Sequence, residues 1–103
     1  MDDKELKRLI AESQKTLADF LKADLRLGLT FAQLARTEAD MGDVPAAIHA
    51  CKKVCQVLDA VARFLPRAVS VSPEDRKQIE TDFNRLKELL AELESAPGGP
   101  VNH

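Results

Sequence analysis

Tryptophan and tyrosine are absent, and four Phe make up the whole aromatic content. A core built from this chain must therefore come from Leu, Val, Ile and Ala, which suits close helix packing. Glycine (four residues) and proline (five) are sparse, and most of them sit around 42–45 and at 97–100. All-β folds need turn residues at frequent intervals, so that class is excluded. Apolar runs are short, and none approaches the roughly 20 residues a membrane-spanning helix needs. An excess of one charge is also lacking: 15 Lys and Arg stand against 17 Asp and Glu, a net charge of −2. No large field draws in nucleic acid or an anionic membrane, and neither is expected as a partner. Two cysteines on one segment do not make a disulfide framework.

What remains is an ordinary globular composition, 45% hydrophobic and 31% charged, over 103 residues. That is enough for one domain and too apolar for a disordered chain. The segment Met1-Asp2-Asp3-Lys4-Glu5 is acidic and polar, unlike a secretory signal. The expectation is a cytoplasmic protein of bacterial style.

Apolar residues recur at helical spacing through most of the chain. Leu6, Leu9, Ile10, Leu17, Phe20 and Leu21 form the apolar side of a first segment, about 3–21, with Ser13 interrupting the stripe. Leu27, Phe31, Leu34 and Ala35 form that of a second, about 24–41. The junction Lys22-Ala23-Asp24 carries neither Gly nor Pro, and the apolar phase passes through it unbroken. Two readings stay open: a break near 22–24 capped by Asp24, or one helix from 3 to 41 of roughly 58 Å. Gly28 marks either a kink or a close helix contact.

The turn Met41-Gly42-Asp43-Val44-Pro45 is plain from its chemistry. Gly42 suits a left-handed helix end, Asp43 an N-cap, and Pro45 a first helical turn. A further helix runs over 44–65 and ends at Pro66. Ser72-Pro73-Glu74-Asp75 then signals a helix start, with a capping hydroxyl, a pre-set φ and two acids at the positive end. That last helix, about 73–95, carries Ile79, Phe83, Leu86, Leu90 and Leu93 on one side and charge elsewhere. Residues 96–103 are expected to form a disordered tail. The fold class expected is all-α: an antiparallel bundle of three or four helices in a single domain over 1–95.

Phe31 to Val54 reads FAQLARTEADMGDVPAAIHACKKV and resembles the tetratricopeptide repeat, a helix–turn–helix unit. Phe31, Leu34 and Ala35 match its first helix, Gly42-Asp43 its turn, and Ala47-Ile48, Cys51 and Val54 its second helix. Glu38 stands where the pattern has an aromatic residue, and Asp59 where it has a proline. One repeat is visible, about a third of the chain, so flanking helices or a second copy must complete the stack. The resemblance implies a non-enzymatic protein–protein interaction or adaptor module at the centre of a small helical protein. It places a protein or peptide ligand on the exposed side of the first helix, at Gln33, Arg36 and Asp40.

Candidate chemistry is thin. Cys51 and Cys55, four residues apart, have the spacing of two metal or redox thiols, but no convincing further ligands. A thiol or metal sensor is thus an alternative function, and a structural homodimer paired through helix 3–41 is another. Neither a cofactor nor a metal site is expected. His49 has Lys52 and Lys53 at the spacings where a carboxylate would orient it, which disfavours a catalytic base. Glu38, Asp40 and Asp43 flank the turn, with Asp43 engaged as a cap. Glu38, on a side that should be apolar, needs a partner such as Arg36, Lys52 or Lys53. Lys52, Lys53, Arg63 and Arg67 form the densest basic set, without the interleaved aromatics of a nucleic-acid surface. No phosphate loop or nucleophile elbow is present.

Overall fold

The computed structural model describes residues 2–95 and is all-helical over them. Three α-helices form: α1 (Asp3–Asp40), α2 (Val44–Phe64) and α3 (Pro73–Ser95), with a single 3₁₀ turn at Leu65–Arg67 after α2. The tail expected over 96–103 lies outside the described residues.

The break considered near 22–24 does not occur, so three helices form rather than four. Lys22-Ala23-Asp24 has no turn residue, and nothing there competes with the helical ladder. Asp2 starts α1 by accepting the Glu5 N–H at 2.7 Å. Gly42, at φ 81°, ends it. The Asp43 N–H then reaches Glu38 O at 2.9 Å and the Gly42 N–H reaches Ala39 O at 3.0 Å, satisfying carbonyls that a helix end leaves orphaned. Asp43 in turn caps α2 through the Ala46 N–H, and Ser72 caps α3 through the Asp75 N–H.

Contacts between the helices give their order in space. Ala35 clusters with Ala50 and Cys51 of α2. Further back along α1, Gly28 lies against Val57, and Phe20 meets Phe64 edge-on at 5.9 Å. Gln14 brackets the linker beyond, donating to Arg67 O at 3.1 Å and accepting from the Ser70 N–H at 2.9 Å. The chain after Gly42 therefore doubles back along α1. For α3, Lys22 pairs with Asp75, Leu86 abuts Gly28, and Leu90 and Leu93 pack on the Ala35 cluster.

The buried residues of α1 are Ala18, Leu21, Leu25, Gly28, Ala32 and Ala35. This corrects the apolar side read from sequence. Leu6, Leu9, Ile10, Phe20, Leu27 and Leu34 are all 41–48% exposed, while Ala35 and Leu21 are fully buried. The core stripe is rotated by one residue, about 100°, from the bulkier one. Small residues win the contact because they let backbones approach. A Cβ placed on Gly28 would lie 2.5 Å from Leu86 Cδ2 and 2.9 Å from Val57 Cγ1, so three helices converge there. Gly28 is thus a close contact, within a helix that continues through it.

Shape follows from these lengths. The molecule measures 60 × 19 × 17 Å. The other helices cover α1 only from about Gln14 onward, and residues 2–13 are exposed throughout.

Candidate interaction face

The feature that stands out is the second apolar side of α1. Leu6, Phe20, Leu27, Leu34 and Met41 fall on one seven-residue register, with Ser13 as its sixth member. Each of the five apolar members is 43–76% exposed. Leu9 and Ile10 extend the surface at the uncovered end. Ile10, Leu17, Asp24, Phe31 and Glu38 occupy a parallel register four residues on; Leu9, Thr16, Ala23, Thr30 and Thr37 occupy one three residues on. These sixteen positions between Leu6 and Met41 hold only two charges, Asp24 and Glu38, whereas the other twenty hold nine.

The threonines fit this side for a local reason. Thr16, Thr30 and Thr37 each donate their hydroxyl to the carbonyl four residues back, at 3.0–3.1 Å. That leaves their methyl groups to meet whatever lies outside. Beside the middle of this face runs a groove of about 320 Å³. Asp24, Leu27 and Phe31 line it from α1, and Lys53, Gln56, Val57 and Ala60 from α2.

Gln33, Arg36 and Asp40, the positions expected to contact a ligand, are all exposed on α1. Gln33 and Asp40 border the apolar face, each one residue before Leu34 and Met41; Arg36 lies round the far side. Among the described residues their own side chains make no hydrogen bond or ion pair.

The two thiols part company. Cys51 is 2% exposed and belongs to the Ala35 cluster, while Cys55 is on the surface. Burial pushes the Cys51 thiol pKa up, with Cys55 and Glu94 adding to the shift. Partial desolvation does the same at Cys55, reinforced by the charges of Glu94 and Asp59. Both shifts lower the fraction of thiolate, the form that attacks and ligates. Among the described residues no group of three or more His, Cys, Asp or Glu is placed to hold a metal ion. His49 is exposed. Glu38 is half-buried, and its Oε2 is enclosed without a hydrogen-bond partner; neither Arg36 nor Lys52 nor Lys53 reaches it. Of the basic set, Arg67 lies over the Phe64 ring, 5.1 Å from its centroid.

Reading the sequence by helical spacing alone merged the two stripes of α1 and missed that one stays uncovered. The available signal was the seven-residue interval from Leu6 to Met41. No described helix is long and apolar enough to cross a membrane. No family model matches this chain, and neither a curated protein nor a solved structure matches it.

Proposed function

We propose that the protein is a non-enzymatic protein–protein interaction module, an antiparallel helical bundle whose centre is a tetratricopeptide-like hairpin and whose recognition surface is the uncovered side of α1. The observation that carries this reading is the exclusion of charge from that side: a solvated helix face has no reason to keep charge out of two separate registers. The hairpin part of the reading draws support from Ala35 and Ala47, both fully buried on either side of the Gly42 turn. Gln33 and Asp40 serve as polar rim to the apolar surface, with Arg36 available to a ligand that wraps further round.

The test is retention of binding partners by the immobilised chain. Substituting Phe20 and Leu34 together by Glu abolishes retention if the apolar face is the recognition surface. A double variant Arg36→Glu, Asp40→Lys weakens it only where the ligand reaches the rim. An unchanged set of partners with both double variants counts against the whole reading.

A further inference from the structure

We propose that the partner of this face is a second copy of the chain, with α1 of one protomer packed antiparallel along α1 of the other. The inference rests on the interaction-face reading above and names its occupant.

Periodicity is the first argument. A seven-residue stripe drifts by about 20° per heptad around a straight helix. It stays in contact over its whole length only with another helix that supercoils around it. Here the interval runs from Leu6 to the C-cap Met41, interrupted only at Ser13, along a helix of 38 residues. A helix of matching length and period is supplied by another α1.

Area is the second. The seven large side chains exposed along the face carry roughly 600 Å² of accessible surface, so two copies bury about 1,200 Å², the lower bound of stable specific interfaces. Adding Ala23 and the threonine methyls raises that figure. A partner that covered only the part of α1 from Gln14 onward would leave Leu6, Leu9 and Ile10 in water.

Charge decides the orientation. A parallel, in-register pair sets Glu38 against Glu38 across the seam, an arrangement coiled coils avoid, while Asp24, at the middle of the stripe, lies near its copy in either orientation. Antiparallel pairing moves each Glu38 most of a helix length from its copy. It also brings residues 4–11 of the uncovered start, with Lys4, Lys7 and Arg8 against Glu5, beside residues 36–43, with Glu38, Asp40 and Asp43 against Arg36. The last turn of α1 has no basic residue of its own to meet its negative end. Each uncovered N-terminal segment would lie along the C-terminal end of α1 in the other copy.

Sedimentation equilibrium on the full chain through the micromolar range tests the pairing, and a dimer mass is expected. A two-fold interface meets each substitution twice, so Leu27→Glu weakens self-association by about 100-fold or more. Leu34→Glu, checked for unchanged helix content by circular dichroism, does the same, while Lys77→Glu on α3 leaves the mass alone. For orientation, a spin label on Arg8→Cys in a Cys55→Ser background is expected to lie roughly 45 Å from its copy, at about 1.5 Å of rise per residue. A wild-type monomer at every concentration, or a dimer indifferent to both substitutions, overturns the inference. So does a label separation near the roughly 10 Å spacing of paired helices, which means parallel chains. A monomer that loses a heterologous helical partner on Leu27→Glu ends self-pairing yet keeps the interaction face.

Discussion

Two glycines do opposite work in this molecule. At Gly28 the backbone is ordinary helix, and the missing Cβ makes room for Leu86 and Val57. At Gly42 there is nothing within 4 Å of a placed Cβ, and only the positive φ matters. Gly28→Ala gains up to about 1 kcal/mol of helix propensity yet must displace a β-branched Val57 methyl. Leu86 can rotate away at less cost, but Val57 is stiff at χ1. A net loss of about 1–2 kcal/mol is expected from overpacking, read as a lower urea midpoint. Gly42→Ala is expected to lose about 1–2 kcal/mol through backbone strain alone. The cysteines make the same point about position. A thiol reagent is expected to modify Cys55 in the folded chain and Cys51 only on unfolding. Both thiol pKa values are raised above the ordinary 9.0 on folding. Their contribution to stability is thus complete below that value and is lost as pH rises through the folded values. Thermal unfolding followed from pH 8 upward checks it, in Cys55→Ser as well as in the natural sequence.

At the scale of elements, the connection between α2 and α3 is pinned by side chains from distant positions. Gln14 holds both sides of the linker, and Arg76 donates to Ala68 O. Gln14→Ala is expected to cost about 0.5–1 kcal/mol and to speed amide exchange at Ser70 without disturbing α2. Lys22 and Asp75 tie α1 to the first turn of α3. The Lys22 hydrogen bond is the main cause holding the Asp75 carboxyl below its ordinary pKa of 3.8. The pair therefore stabilises the fold above that value and loses its effect as pH falls through the lowered one. Lys22→Met is expected to flatten that part of the acid unfolding curve. Two caps and the end of α1 were legible in advance: Asp43 and Ser72 cap where their side chains allow, and Gly42 ends α1 where only glycine is at ease. The cap at Asp2 was not read from the sequence. The junction at Lys22-Ala23-Asp24 stayed open because absent turn chemistry favours a helix while the usual helix length argues against one of 38 residues.

Across the whole molecule, the three helices are unequal, and α1 outruns the others. Residues 2–13 contribute nothing to the intrachain core. Removing residues 1–12 is expected to leave the urea midpoint unchanged at concentrations too dilute for association, because Gln14 and its linker contacts remain. At higher concentration the full chain is expected to gain stability with concentration, and the shortened one much less, since pairing that favours the folded form raises its apparent stability by mass action.

Local chemistry along the chain decided the helical class, the caps, the Gly42 turn and the absence of a long apolar span, because each depends on neighbours within a few residues. Which side of α1 becomes core was decided only by packing. Helical spacing admits two adjacent stripes, one of Ala, Gly and Leu and one of bulkier Leu and Phe. The buried one is that whose small residues let α2 and α3 approach closely enough to exclude water, and this leaves the bulkier stripe outside. No single-helix pattern contains that outcome, since it depends on Leu86 and Val57 arriving at Gly28 from two other segments.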